Sequence, residues 1–307
     1  MSNKDIYDLI IIGAGPAGIT AGVYAARKKL KLLVITEDIG GQAAWSGDIE
    51  NYTGYQFVTG PELAAKFDEH MRKYGIDVRE SEPVRSIRKD NNLIRIESAQ
   101  GVYFARSAII ASGKRSRELN VPGEKEFKNK GLTYCATCDG PLFPDKDVAV
   151  IGGGNSALDA ALQMIKIAQS VTIINIASEL TGDGILREKL ARSDKVKVLN
   201  ETEVIEIFGG RFVSGIRVRR NGKEEEHKVQ GIFVEIGLIP NSGFTADDIR
   251  KNGSGEIIID KYNHTSVPGI FAAGDVTDVP EKQIIIAAGE GSRAALGVFH
   301  YLSHLGQ

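Results

Sequence analysis

A chain of 307 residues, 42% hydrophobic and with a formal net charge of −2, has enough apolar side chains for a sizeable core, and its length favours two domains over one. The near-balanced charge and the absence of basic blocks exclude nucleic acid and anionic membranes as principal partners. No secretory h-region precedes the first strand and no apolar run is long enough to span a bilayer, so the expected compartment is the cytoplasm.

The first predicted element is a β-branched, apolar strand over Ile6 to Ile12. It runs into Gly13-Ala14-Gly15-Pro16-Ala17-Gly18 and then into a helical pattern through Ala26. In such a strand, G-x-G-x-x-G, helix unit the first glycine permits the tight turn and the second lets the backbone approach a pyrophosphate. The third lets helix and strand pack closely, and the helix N-terminus faces the anion. A second strand, Leu30 to Ile35, ends at Thr36-Glu37, near the spacing at which an acidic side chain holds an adenosine ribose; a solvated strand end is the plain alternative for Glu37.

The stretch from Gly40-Gly41-Gln42 to Asn51-Tyr52-Thr53-Gly54-Tyr55 lacks periodicity and reads as a long loop, of a length that usually carries function. An amphipathic helix follows over Pro61 to Tyr74. Strands are expected over Val78 to Ile87, Leu93 to Glu97, Val102 to Ala105 and Ala108 to Ala111, the last ending in Ser112-Gly113. Lys114 to Leu119 is charged and patternless, and the first domain crossing is placed there.

Both cysteines of the chain lie in Cys135-Ala136-Thr137-Cys138, so any sulfur chemistry is concentrated in one C-x-x-C. Two thiols on one turn can close into a disulfide, and their pairing lowers the pKa of one of them. Half of a zinc site is the bland alternative. It needs further ligands, and His70, His227, His264, His300 and His304 are scattered, with no second C-x-x-C, so no metal is expected.

After this loop a strand over Val148 to Ile151 enters Gly152-Gly153-Gly154-Asn155-Ser156-Ala157, and a helix runs to about Ala168. A second glycine fingerprint in the same context, about 140 residues after the first, is far more specific than either alone, and two nucleotides are expected. Strands over Val171 to Ile176, near Val196, and over Val204 to Phe208, Gly215 to Arg220 and Ile232 to Ile236 complete this unit. Gly237 to Asn241 is the expected return crossing. A strand over Ile257 to Ile259 and a short buried strand then lead to Gly274-Asp275, where the Asp can bond a sugar or ribityl hydroxyl or simply cap a turn. A helix over Gln283 to Val298 closes the chain, with small residues at Ala287, Ala288, Gly289 and Gly291.

The two fingerprints, Cys135-Ala-Thr-Cys138-Asp139 between them, and Phe271-Ala-Ala-Gly-Asp275 followed by Gln283 together resemble the low-molecular-weight thioredoxin reductase family over nearly the whole chain. Asp139-Gly-Pro-Leu-Phe143, Ile232 to Asn241, Gly255 to Asp260 and Lys282 to Ile286 are similar to the flavoprotein portion of alkyl hydroperoxide reductase. The resemblance implies an α/β fold of two Rossmann-like domains, the nicotinamide nucleotide domain (115–244) being inserted into a discontinuous FAD domain (1–114 and 245–307). It implies FAD contacts at Gly13, Gly15, Pro16, Ala17, Gly18, Thr36, Glu37, Gly41, Gln42, Asn51, Val84, Ala111, Ser112, Gly113, Gly274, Asp275, Gln283 and Ile284. Nicotinamide nucleotide contacts are implied at Gly152, Gly154, Asn155, Ser156, Ala157 and Asn175.

By the same resemblance Cys138 forms the thiolate next to the flavin, Cys135 attacks the partner disulfide, and Asp139 handles the thiol proton. Electrons would pass from a reduced nicotinamide nucleotide through FAD and the cysteine pair to thioredoxin, a glutaredoxin-like protein or another small C-x-x-C protein. Homodimerisation is implied too. The chain begins at its first strand, so the disulfide partner is expected to be a separate protein, and a swing of one domain on the two crossings is expected to bring cysteines and nicotinamide to the flavin in turn. In this family a His-Arg-Arg cluster grips the 2′-phosphate of NADP, whereas here no Lys or Arg occurs from Ser170 to Leu186. NADH is therefore expected over NADPH, with the Asn175 amide as a weak holder of the ribose diol. A ferredoxin- or deazaflavin-fed reductase, a reductase of a peroxiredoxin-system partner, a flavin oxidase and a redox sensor are the competing readings.

Overall fold

The computed structural model describes residues 6–46, 48–49 and 51–305; for Asp48, Thr137 and Cys138 it describes the backbone alone. The chain forms two compact units, Met1–Arg115 with Ile239–Gln307, and Ser116–Leu238. The first unit opens with strand β1 (Ile6–Ala14), helix α1 (Pro16–Arg27) and strand β2 (Leu32–Ile39). A 3-10 turn (Gly41–Trp45) and a short ribbon of β3 (Asp48–Ile49) and β4 (Val58–Thr59) precede helix α2 (Gly60–Arg72), whose start is fixed by a Thr59–Glu62 capping box. Strands β5 (Asp77–Arg79), β6 (Val84–Asp90), β7 (Leu93–Ser98) and β8 (Val102–Ile110) follow.

After β9 (Lys114–Ser116), the second unit contains α3 (Glu124–Phe127), β10 (Leu132–Thr133), α4 (Ala136–Asp139), β11 (Asp147–Ile151), α5 (Asn155–Ile165), β12 (Ser170–Ile174), α6 (Gly184–Ala191) and β13 (Val196–Leu199). It ends with the antiparallel strands β14 (Thr202–Gly209), β15 (Val213–Arg220) and β16 (Lys223–Lys228), then β17 (Gly231–Val234). The chain returns through β18 (Leu238–Pro240) to β19 (Ile270–Ala272) and the closing helix α7 (Ile284–His304).

In the first unit β5, β2, β1 and β8 run parallel, β19 pairs in parallel with the end of β8, and β7 and β6 continue the sheet antiparallel. A strand buried on both faces reads as continuous apolar sequence, and β1 shows why. Leu9 and Ile11 face a cluster that includes Ala17, Ile19 and Ala21 of α1 and Ala294, Ala295 and Val298 of α7, whereas Ile10 and Ile12 face one containing Ile87, Ile94 and Ile257. Each leucine or isoleucine of β1 so buried contributes about 1.5–3 kcal/mol. The close approach of the two helices depends on Gly291, where a Cβ would lie 2.0 Å from the Ala17 carbonyl oxygen.

The second unit repeats the arrangement with a parallel sheet in the order β10, β17, β11, β12, β13. Val148 and Val150 of β11 pack with Ala157, Leu158 and Ala161 of α5, while Ala149 and Ile151 face Val204, Ile216 and Val218 of the antiparallel strands.

Several expected elements differ in detail. Val102 to Ala105 and Ala108 to Ala111 belong to one strand, because Ser107 pairs with Leu9 and carries the ladder with β1 across the gap. Val78 to Ile87 divides into β5 and β6 around Ser81, which has φ +54°. Ile257 makes only isolated bridges, to Lys251 and Thr277, so no strand spans Ile257 to Ile259. β16 and α6 were not expected: Lys223–Lys228 carries no apolar side chain, and Gly184–Ala191 buries only Leu190.

Candidate functional site

In the first unit the predicted residues gather at the carboxyl ends of β1, β2, β8 and β19. Gly13 takes φ +100° and a Cβ there would lie 2.4 Å from the Ala111 carbonyl oxygen, so only glycine makes this turn. Gly15 is the N-cap of α1, with Pro16 at the first helical position, no side-chain cap and no acidic residue in the first turn. Ala17 and Gly18 are buried in that turn. At Gly15 a Cβ would meet nothing nearer than the Gly40 carbonyl oxygen at 3.9 Å, and Gly41 lies across from it. Uncapped N–H groups facing open space are an anion site. A pyrophosphate fits these residues.

Around that turn Glu37 is exposed at the end of β2, while the buried Thr36 accepts a hydrogen bond from the Ala14 N–H at 3.1 Å and donates to the Asp38 carbonyl. Val84 belongs to the neighbouring hairpin, tied to this strand end by Glu82 N–H donating to Thr36 O at 3.0 Å. Gln42 donates to the Lys114 carbonyl at 3.0 Å and Asn51 donates to Gln283 Oε1 at 3.1 Å, which draws the long loop onto the β8 exit and the start of α7 beside Ile284. Ser112 and Asn241 exchange hydrogen bonds of 2.7 and 2.9 Å, and Gly113 takes φ +63°.

Asp275 is largely buried. Burial pushes its carboxyl up, while the ammonium groups of Lys282 and Lys114 oppose that shift. These two lysines share Glu256, with Nζ–Oε1 distances of 2.8 Å for Lys114 and 3.1 Å for Lys282. Burial works against ionisation of Glu256 as well, but hydrogen bonds from Lys114, Asn252 and Lys282 outweigh it and hold the carboxyl at about 2. Glu290 of α7 is buried, and its Oε2 accepts from the Gly274 N–H at 2.7 Å and from Thr277 Oγ1 at 3.3 Å, fixing the loop that presents Asp275. Sequence reasoning missed Lys114, Glu256, Lys282 and Glu290. Only the adjacency of Lys282 to Gln283 and a charged residue among the small residues of α7 could have signalled two of them.

The second unit carries its own glycine turn. Gly152 takes φ +134°, and a Cβ there would lie 2.2 Å from the Glu235 carbonyl oxygen. Gly154 is an N-cap of α5 without a side-chain bond, and a Cβ on it would have no neighbour nearer than Thr181 Oγ1 at 4.0 Å. Asn155 and Ser156 are exposed in the first turn, Ala157 is buried beneath it, and Asn155 Oδ1 accepts from the Asp183 N–H at 2.7 Å. This turn too offers uncapped N–H groups to an anion.

Asn175 corrects one expectation. It is only 4% exposed, and its Nδ2 donates to Glu179 O at 2.8 Å, Asn200 Oδ1 at 3.0 Å and Ala177 O at 3.2 Å. An amide so engaged has no donor left for a ribose diol; it organises the loop after β12, which Thr181 and Gly182 N–H groups clip to Gly153 O at 2.8 and 3.0 Å. Arg187, one residue beyond the cation-free window, places Nη1 3.4 Å from the Leu180 carbonyl of that loop.

Cys135 is disulfide-bonded and immediately precedes the short helix α4. The side chain of Cys138 lies outside the described residues. Asp139 Oδ2 accepts from Thr133 Oγ1, and the same hydroxyl accepts from the Cys135 N–H at 3.1 Å, so one threonine ties the carboxylate to the redox turn. Burial pushes the Glu235 carboxyl up to about 8; the hydrogen bond it accepts from the Ala136 N–H opposes that shift, and the charge of Asp159 adds to it. No group of three His, Cys, Asp or Glu residues suited to a metal occurs among the described residues.

The chain is similar to known proteins along almost all its length. A Bacillus subtilis protein named NADH dehydrogenase is 44% identical over 304 residues, covering 98% of this chain and 60% of that protein. A Staphylococcus aureus component of alkyl hydroperoxide reductase is 43% identical over 303 residues, with 98% and 60% coverage, so the chain spans about three-fifths the length of these curated relatives. Thioredoxin reductase from Lactococcus lactis has the same fold, with a TM-score of 0.90 and 34% identity over 97% of this chain and 99% of that one. The family model described as pyridine nucleotide-disulphide oxidoreductase matches residues 7–291, two Rossmann-like units with a disulfide turn in the second, and the chain belongs to that family of oxidoreductases.

Proposed function

We propose that the protein is an FAD-dependent disulfide reductase that accepts electrons from NADH in preference to NADPH and passes them through Cys135 and Cys138 to a small C-x-x-C protein of the thioredoxin or glutaredoxin kind. The observation that carries this reading is the combination of two uncapped glycine turns, one per unit, with a disulfide at Cys135. When bound, FAD supplies the hydride acceptor and the two-electron link between nicotinamide and disulfide.

The chain's own residues have separable tasks. The N–H groups at the start of α1 hold the pyrophosphate, Glu37 reaches the adenosine ribose and Asp275 a ribityl hydroxyl, with Gly41, Gln42, Asn51, Val84, Ala111 to Gly113, Gln283 and Ile284 completing the lining. The Gly152 to Ala157 turn holds the nicotinamide nucleotide. Cys135 attacks the partner disulfide, and the Asp139 carboxyl, held by Thr133, takes up and returns the thiol proton.

The NADH preference rests on the loop after β12, where Glu179 and Asp183 stand without a cation in the loop itself. Arg187 is the first cation in sequence after that loop, and its Nη1 donates to Leu180 O. A missing charge-assisted bond costs about 1.5–3 kcal/mol, which sets the expected preference at about tenfold or more in kcat/KM. Anaerobic stopped-flow flavin reduction by each nucleotide tests it. Faster reduction by NADPH overturns the preference, and reduction by neither favours another electron donor.

A second reading follows from the alkyl hydroperoxide reductase relative: the acceptor belongs to a peroxide-reducing system. Turnover with a thioredoxin alone, against turnover that needs a peroxiredoxin and a hydroperoxide, separates the two.

A further inference from the structure

Glu235 is a partly buried carboxyl that this mechanism leaves unused. It follows β17, the neighbour of β11, and therefore emerges at the carboxyl end of the sheet beside the Gly152 turn, with its amide donating to Ile151 O at 2.8 Å. Its side chain accepts from the N–H of Ala136, the residue after Cys135 and the first of α4. Asp159 on α5 is the charged group that acts on it, and Asp159 in turn faces Asp183 at the start of α6 and Lys189 within α6. On α4 the charged group is Asp139, held by Thr133. One carboxyl thus joins the nucleotide turn to the redox turn, with the charge of a second carboxyl, Asp159, acting on it.

We infer that Glu235 is a positioning residue that couples proton uptake to reduction of the Cys135 disulfide through its bond to the Ala136 N–H. This rests on the reductase reading above. A dithiol reductant delivers two electrons, breaks the S–S bond and leaves one thiolate and one thiol, whose proton comes from solvent. The new negative charge next to residue 136 competes for the Ala136 N–H and repels an ionised Glu235 carboxylate. Where Glu235 is ionised in the oxidised protein, it takes a further proton from solvent as the disulfide is reduced. Where Glu235 is already protonated, below about pH 8, no further proton is bound.

The test equilibrates the full-length protein with reduced and oxidised dithiothreitol under argon from pH 6.5 to 9.5, traps thiols by alkylation and counts them by mass. Relative to Glu235→Gln, the wild type is expected to become harder to reduce above about pH 8, by up to tenfold per pH unit or ~30 mV for a two-electron couple. Asp159→Asn removes the repelling charge and is expected to move this break to lower pH, which keeps the proposal testable if the Glu235 variant does not fold. Parallel pH dependences in wild type and variants overturn the role of Glu235 while leaving the reductase reading in place. A disulfide that fails to exchange with dithiothreitol at any pH overturns both.

Discussion

Replacing Asn175 by Asp separates two opposite expectations. From residue type alone, a carboxylate at the end of the strand after the second glycine turn improves the grip on an NAD ribose. The structure reverses that sign. Nδ2 of Asn175 is the donor to the carbonyls of Ala177 and Glu179 and to Asn200 Oδ1, at a position only 4% exposed. Asp has no donor to offer. Asn200 can turn its amide to meet the new oxygen, but the two carbonyls lose their partner and face a buried charge. At about 1–3 kcal/mol for each unsatisfied group, the variant loses ~3–5 kcal/mol. For a unit of this size that lowers Tm by about 10 °C or more. The loop clipped to Gly153 loosens with it, so NADH binding weakens by about tenfold. Asn175→Ala, which removes the donor without adding charge, is expected to lose about 2–4 kcal/mol. Thermal unfolding and equilibrium NADH titration of both variants measure these effects; tighter NADH binding by Asn175→Asp at an unchanged Tm would refute the reasoning.

Glu235 makes stability depend on pH. Its carboxyl is pushed from an ordinary value near 4.5 up to about 8, so the folded chain binds more protons than the unfolded one across that window, and stability falls as pH rises from about 4.5 to 8. The loss is on the order of 3–5 kcal/mol, is absent in Glu235→Gln, and is read by urea unfolding at pH 5, 6.5 and 8. Gly291→Ala drives a Cβ to 2.0 Å from the Ala17 carbonyl and should cost more than about 3 kcal/mol and the flavin content of the purified protein, whereas Gly289→Ala, which meets no atom within 4 Å, should be neutral or stabilising by about 0.5–1 kcal/mol. Absorbance at flavin wavelengths and thermal unfolding distinguish the pair. Thr133→Val removes the hydroxyl shared by Asp139 and the Cys135 N–H, and thiol-disulfide exchange with dithiothreitol should slow by about tenfold; an unchanged exchange rate would detach Asp139 from the chemistry.

The local pattern of the chain determined the two strand-turn-helix units. Their signals are short-range: an apolar strand, glycines where φ is positive or backbones meet, and a helix start without a side-chain cap, all within about twenty residues. The same holds for the C-x-x-C, since the two cysteines stand three positions apart in sequence. Tertiary structure alone decided what polar residues do once chain segments far apart in sequence meet. Asn175 has the residue type and position of a ribose ligand, but its amide is taken by carbonyls two and four residues on and by Asn200. Glu290 sits 16 residues from Gly274, and Lys114 lies 142 residues from Glu256, so no periodicity links either pair. The polar strand Lys223–Lys228 was equally illegible, because it forms through backbone pairing with β15 and cross-strand ion pairs such as Arg217–Glu226 rather than by burying a face. Hydrophobic burial leaves a periodic trace in sequence. A buried charge or amide leaves none, because its free energy depends on the partners that folding brings to it.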